Sequence, residues 1–438
     1  MVSKTSKMFF AAAAMLSAMF IIGCGGKNQL AAEPTPNRPF PQAGNFESGG
    51  AVIKPNHRTQ EQLNQDVINK FNAYKSEFLR STPSGNYYIF ARGTGYDGAR
   101  CVTQSEAHGY AMIVFALMAG HDPDAKRIFD GMNQLRKANP STINPALMSW
   151  VVFPEYADNT YPKIAPAGVH NGAPGRRASA TDGDLDMAYA LLLAHSQWGQ
   201  QSYLDEARVL IAAIRESNIH PKTLRTNLGD WGPNSDPAGL NTRPSDWMPG
   251  HFRAFYRATK DSFWINAADT IYSLLAQVSN PKTGLAPDFA TGIPLKPDPR
   301  GGGADEVDNF VHFSYNACRV PWRIASDWAH YGVPEAGEQI NRISSWLKNK
   351  VGENPALIRA GYKLDGSAAL ETWTDVVFNA PFASAMIANP ENQDFLNATY
   401  DFVKASDAST DGEWWNAYKS ALQLLNMLLI TGNWWSPL

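Results

Sequence analysis

Cysteine is nearly absent from this chain: Cys24, Cys101 and Cys318 are the three among 438 residues, too few for a disulfide framework to hold the fold. Histidine is also sparse, nine residues with no pair at ligand spacing beside an acid, so neither a metal site nor any other cofactor is expected. There is no excess of basic residues; 38 Lys and Arg against 41 Asp and Glu give a net charge of −3, which argues against a nucleic-acid partner. Alternating strand patterns are scarce. Gly301-Gly302-Gly303 does not join a strand to a helix, so it is no phosphate loop, and no nucleophile elbow for Ser-His-Asp chemistry is present. What the chain does have is 44% hydrophobic residues, enough for a large core.

The one long apolar run, residues 8–22, follows Lys4 and Lys7 and ends at Gly23-Cys24, which marks a targeting segment. It is short and Ala-rich for a spanning helix. Ile21-Ile22-Gly23-Cys24 resembles a bacterial lipobox, so Cys24 is the expected lipidation site of an exported lipoprotein held at the outer membrane or cell surface; a plain cleaved signal or a short anchor is the alternative. Residues 25–55, rich in Pro, Gly and Asn, read as a tether, and residues 56–438 as one domain, expected to be monomeric. Cys101 and Cys318, left after export, either pair or remain free buried thiols.

Apolar residues recur at helical spacing over 60–79, 105–119, 124–137, 184–198, 202–217, 246–259, 263–278, 318–330, 334–351, 375–388, 391–403 and 414–430. Short connections such as Gly120-His121-Asp122-Pro123 and Gly332-Val333 force antiparallel neighbours, while 139–181, 218–245, 279–317 and 352–374 are long. Hairpins joined by long loops suit an all-α closed double ring of helices with the loops gathered at one end as a cleft. Loops of that length, rich in Trp, Tyr, Asp and Asn, point to function.

Residues 180–198 put Asp182, Asp184 and Asp186 at alternate positions just before an apolar helix. One acid is expected as a cap, because the free N–H groups and positive dipole end favour carboxylates there. Asp182 and Asp184 are candidates to face a cleft and hold a hydroxyl-rich ligand. Ser105 is a plausible N-cap that would leave Glu106 in the first turn of its helix. The flat faces of Trp150, Trp231, Tyr315 and Trp373 on the loops make them candidate binding residues, whereas Trp198, Trp264 and Trp346 read as core.

Ser105-Glu106-x-x-Gly109-Tyr110, Ala180-Thr181-Asp182-Gly183-Asp184-x-Asp186-Met187-Ala188 and Tyr315-Asn316-Ala317-Cys318-Arg319-Val320-Pro321-Trp322-Arg323 together resemble glycoside hydrolase family 8, from about residue 39 to the C-terminus. The resemblance implies an (α/α)6 barrel and inverting hydrolysis of β-1,4-linked polysaccharide, with two carboxyls about 6.5–9.5 Å apart. It gives Glu106 the role of general acid and Asp182 that of gripping the sugar at the cleavage point. The family's cellulases and xylanases carry Asp where this chain has Asn316. A subgroup with chitosanases and lichenases has Asn there and takes its base from a Glu in the preceding insertion, which here is Glu306, with Asp305 and Asp308 as alternatives. Asn316 would then orient the attacking water or a sugar hydroxyl, and Arg319 would pair with a site carboxylate.

The leading expectation is an endo-acting β-1,4-glucanase or lichenase. Chitosan is the rival substrate, with Glu155, Asp158, Asp236 and Asp288 available to face amino groups; xylan is disfavoured by Asn316. A different class of reading is an inactive glycan-binding surface lipoprotein. A third is a polyuronate-acting toroid using Arg176, Arg177, Arg225 and Arg243.

Overall fold

The computed structural model describes residues 34–42, 46, 51–91, 101–152, 178–232, 240–301, 308–408 and 413–437. Twelve α-helices lie among the described residues: α1 Gln60–Phe78, α2 Ser105–Leu117, α3 Ala125–Ala138, α4 Thr181–Trp198, α5 Gln201–Ser217, α6 Pro249–Thr259, α7 Phe263–Val278, α8 Val320–Tyr331, α9 Pro334–Val351, α10 Val376–Ala385, α11 Gln393–Ala405 and α12 Glu413–Ile430. None is long and apolar enough to cross a membrane. Among the described residues three short antiparallel strand pairs decorate the connections: β1 Leu79–Ser81 with β2 Tyr87–Ile89, β3 Thr103–Gln104 with β4 Val151–Val152, and β5 Ala290–Thr291 with β6 Lys296–Pro297.

The even-numbered helices touch in the cycle α2, α4, α6, α8, α10, α12 and back to α2, and each odd-numbered helix packs on the outside of an even one. Composition explains the division. All residues of α2 except Glu106 are buried, so it is apolar on every side and belongs inside, whereas α3 buries one face. The result is the all-α (α/α)6 barrel expected from the helix pattern.

Two glycines set the closest seam of the inner ring. A Cβ on Gly183 would lie 2.5 Å from Ser105 Oγ and 2.6 Å from its carbonyl carbon, and one on Gly109 would lie 2.8 Å from Asp186 Cβ. Only glycine lets the backbones of α2 and α4 approach this far. A buried ion pair ties three inner helices below that seam. Arg323 on α8 donates to both oxygens of Asp186 on α4 at 2.7 and 2.6 Å, and His251 on α6 lies 2.9 Å from the same carboxylate.

Short turns join inner to outer helices at one end. Gly332, for example, closes α8 with φ 64° and leads straight into α9. The connections 79–104, 139–180, 218–248, 279–319 and 352–375 all deliver the chain to the N-termini of inner helices, which gathers those N-termini at the opposite end.

The segment expected to be a free tether is partly built into the fold. Asn37 N–H donates to Gln197 O and Phe40 N–H to Ala119 O, both at 2.7 Å, and Ile53 N–H donates to Ile387 O at 2.9 Å. Phe40 is buried, and Arg38 lies 4.9 Å over the Trp435 ring. Residues 37–42 therefore strap the closed end of the barrel, because their Asn, Arg and Gln groups find acceptors at the ends of α2, α4 and α12. Cys101 and Cys318 are both buried and are not joined in a disulfide.

Candidate active site

Glu106 and Asp182 occupy the first turns of α2 and α4, side by side at the open end of the barrel. The approach is held by loop pairing. Ser105 N–H donates to Trp150 O and Trp150 N–H to Ala178 O, each at 2.8 Å, so the lead-ins to both helices share one strand of chain. Neither expected cap forms: the N-caps are Gln104 and Ala180, neither with a side-chain cap bond, and Ser105 is already the first helical residue.

Arg319, in the turn that opens α8, brings the acids together. Its Nη1 donates to Glu106 Oε1 and, at 3.0 Å, to Asp182 Oδ2; its Nη2 donates to Ser245 Oγ at 3.0 Å. Tyr110 OH adds a 3.3 Å donation to Glu106 Oε1. Arg243 lies 3.4 Å from Asp182 Oδ2 and donates at 3.1 Å to Asp246. Arg243, Ser245 and Asp246 were not singled out as partners of the acids in the sequence. They sit in the lead-in to α6, the same place in their hairpin that Glu106 and Asp182 occupy in theirs, which is the signal that could have found them.

The cluster holds three carboxyls and two guanidiniums, so it is neutral when one carboxyl keeps its proton. Burial, followed by the repulsion of Asp182 and Asp246, pushes Glu106 up to about 7 although Arg319 and Arg243 oppose it. Burial acts on Asp182 too, but Arg243, Arg319 and the Gly183 N–H together pull it down to about 2. Burial raises Asp246 as well, yet it has no access, with 0% of its side chain exposed against 13% for Glu106. A carboxyl that holds a proton near neutrality, beside one that stays ionised, is the arrangement general acid catalysis requires.

The other acids of the 180–198 stretch are structural. Asp184, expected at the ligand, is fully buried; it accepts from Met148 N–H at 3.2 Å and Asn218 Nδ2 at 3.3 Å, and burial pushes it up to about 8. It ties α4 to the connections on either side. Asp288, expected to face an amino sugar, is also buried and binds the backbone of 314–317.

Among the loop aromatics, Trp231 and Trp373 are 44% and 51% exposed, large flat surfaces suited to stacking. Trp231 covers Gly229 beside Ser179, ahead of α4, and Trp373 lies ahead of α10, the opposite member of the ring. Tyr315 is half-buried, touches Trp415 edge-on at 5.1 Å and accepts from Trp373 Nε1 at 3.4 Å. These three rings, with Phe402, Asp375 and Lys419, line a cleft of about 790 Å³. Trp150 is half-buried against Cys101 and Val151, which leaves less of its face for a ligand.

Asn316 donates through Nδ2 to Asp288 at 3.2 Å, and its Oδ1 accepts from Arg319 Nη2 at 3.4 Å. Glu306 and Asp305 lie outside the described residues, as do Cys24, Glu155, Asp158, Asp236, Arg176 and Arg177; Asp308 is described and exposed. Arg225 is buried and donates to Gly292 O at 2.9 Å, so it does not serve a cleft for polyuronate. Among the described residues no group of three or more His, Cys, Asp or Glu could hold a metal ion.

A helical barrel whose inner helix N-termini carry a proton-holding acid, an ionised acid and two arginines, flanked by exposed tryptophans, defines a carbohydrate-cleaving enzyme that works through carboxyl groups. The model of glycosyl hydrolases family 8 matches residues 62–432. The chain belongs to that family and is an inverting glycoside hydrolase. It is 40% identical over 422 residues to an endoglucanase of Bacillus sp. (strain KSM-330), covering 94% of this chain and 84% of that protein. It is 36% identical to a beta-glucanase of Niallia circulans, covering 92% of each. The apo structure of a beta-1,3-1,4-glucanase from Paenibacillus sp. X4 superimposes with a TM-score of 0.80 at 35% identity, over 92% of this chain and 100% of that one.

Proposed function

We propose that the chain is an endo-acting, inverting hydrolase of β-glucan, with cellulose-type or mixed-linkage chains as substrate. The observation that carries the reading is Glu106: it keeps 13% of its side chain exposed at the open end of the barrel, holds its proton until about pH 7 and lies beside an ionised Asp182. Glu106 donates its proton to the leaving glycosidic oxygen, and Arg319, already bonded to it, stabilises the carboxylate that results. Asp182 accepts from hydroxyls of the sugar at the cleavage point. Trp231 and Trp373, at opposite sides of the mouth, stack on sugars either side of it, as an enzyme that cuts within a chain needs.

The base is assigned to Glu306. Support comes from the pairing of the buried acids of the mouth, which leaves Glu306 with Asp308, described and exposed, and Asp305 as its alternatives. Asp182 is held by two arginines, Asp246 by Arg243 and Ser245, Asp288 by four donors, and Asp375 by Lys419 at 2.9 Å and Tyr315. Asn316 cannot take a proton at neutral pH.

Glucan is favoured over chitosan because Asp288 is buried away from any amino sugar, and because the relatives above are named as glucanases. The same names, with a proton-holding Glu106 at the open end of the barrel, weigh against an inactive binding lipoprotein. Lipidation at Cys24 and a monomeric state are further parts of the proposal, checked by mass and membrane partition of a Cys24→Ser variant and by size-exclusion chromatography.

The test is reducing-end release from lichenan, carboxymethylcellulose as the soluble cellulose, chitosan and xylan side by side, with Glu106→Gln and Glu306→Gln as controls. Release from lichenan or the soluble cellulose that both variants abolish supports the reading. Preference for chitosan, or undiminished release by Glu306→Gln, overturns the corresponding part.

A further inference from the structure

We propose that Asp288 is a positioning residue of the active centre: it fixes the polarity of the Asn316 carboxamide so that the oxygen, and not the NH2 group, faces Arg319 and the cleft. The inference rests on the reading of the barrel mouth as the hydrolytic site.

Asp288 lies in the connection from α7 to α8 and is 2% exposed. Its Oδ1 accepts three backbone N–H groups, from Ser314 at 3.0 Å, Asn316 at 3.1 Å and Ala317 at 2.7 Å. Its Oδ2 accepts Asn316 Nδ2 at 3.2 Å. Burial raises this carboxyl only to about 6, so it is ionised at neutral pH and can only accept. The group facing Oδ2 must therefore be a donor. That requirement turns the NH2 of Asn316 inward and sends Oδ1 to the other side, where it accepts from Arg319 Nη2 at 3.4 Å. Asn316 also accepts Arg319 Nε through its backbone oxygen at 3.2 Å. Arg319 is thus gripped twice by the turn that Asp288 organises, and the same guanidinium bridges Glu106 and Asp182.

The neutral residue at 316 follows from this pairing. An Asp there would set two carboxylates about 3.2 Å apart, and one would have to hold a proton. An Asn at 288 would keep an oxygen for the backbone N–H groups but set NH2 against NH2, and the Asn316 amide would flip its NH2 toward Arg319.

The experiment is the exchange of the pair: Asp288→Asn, Asn316→Asp and the double variant, each measured for kcat and KM on lichenan and for thermal unfolding. Each single variant is expected to lose roughly tenfold or more in kcat, the size of coupling found within one hydrogen-bonded network, and the double variant to regain most of it. A double variant as slow as the product of the two singles overturns the proposal, since a purely structural turn would not be rescued by the swap. If Asp288→Asn does not fold while the double variant does, the pairing stands; if neither folds, Asp288 serves only the turn and the proposal fails. A wild type that does not hydrolyse lichenan sinks the β-glucan reading instead. In that case the Asn316 Nδ2 protons still report: slow exchange in wild type with fast exchange in Asp288→Asn supports the pairing, and equal exchange overturns it.

Discussion

Replacing Gly183 by Ala tests whether the α2–α4 seam sets the acid pair. The added methyl would meet Ser105 Oγ at 2.5 Å, but also the Ser105 carbonyl carbon at 2.6 Å, and backbone cannot swing aside. Restoring ordinary contact at about 3.5 Å requires the two helices to part by nearly 1 Å. Overpacking of this kind costs about 1–3 kcal/mol, offset by up to about 1 kcal/mol of helix propensity gained on losing a glycine. A net loss of about 1–2 kcal/mol is expected in denaturant unfolding. The larger effect falls on catalysis: Glu106 and Asp182 are carried by the first turns of the two separating helices, and a 1 Å misplacement costs roughly a hundredfold. The assay is kcat/KM on lichenan beside urea unfolding of the same preparation. A Gly183→Ala enzyme of wild-type activity and equal or higher stability would refute the reasoning.

Asp184→Asn should be stabilising at alkaline pH. The folded carboxyl is raised to about 8 from its ordinary 3.8, so its contribution is complete below about 4 and is lost as pH rises through 8; the amide removes that loss, seen as a flatter stability profile with KM for lichenan unchanged. Trp231→Ala should raise KM by up to roughly tenfold, from about 0.5–1.5 kcal/mol of stacking, with a smaller effect on kcat. Arg323→Met strands the buried Asp186 charge and should cost about 3–5 kcal/mol in unfolding, whereas pairing it with Asp186→Leu should recover much of that.

The outer helices were legible because each buries one face, which leaves a clear 3.6-residue period, and the inner ones because their apolar runs are too long for strands. Their starts were less so: α4 begins at Thr181 and not at 184, and α6 at Pro249 and not at 246, since lead-ins rich in Asp and Ser are compatible with either state. That shift of α4 changes the meaning of its three acids. On a helix, residues two apart point about 200° from each other. Asp182 and Asp186 therefore share the barrel-facing side, and Asp184 is turned away to Met148 and Asn218. The place of Asp182 at the start of α4 is written in local sequence, but the partnership of Arg243, Asp246 and Arg319 exists only once the ring closes, because they come from connections more than 60 residues downstream. The N-terminal strap was missed because Pro- and Asn-rich chain has linker composition, while its hydrogen bonds are made with helix ends far away in sequence.

The most direct test of the account is the pH dependence of kcat/KM on lichenan, set beside the stability profile of Glu106→Gln. Glu106 must be protonated to act and is raised to about 7 from its ordinary 4.5, so activity should fall as pH rises through about 7. The neutral Glu106 is also what the fold favours, so its contribution to wild-type stability is complete below about 4.5 and is lost as pH rises to about 7, and Glu106→Gln, inactive, should not show that decline. An alkaline limb of activity near 7, together with a stability loss between about 4.5 and 7 that Glu106→Gln lacks, is the predicted result. Activity that runs level through pH 7–9, or a Glu106→Gln enzyme that still turns over lichenan at the wild-type rate, would contradict the assignment of Glu106 as the acid.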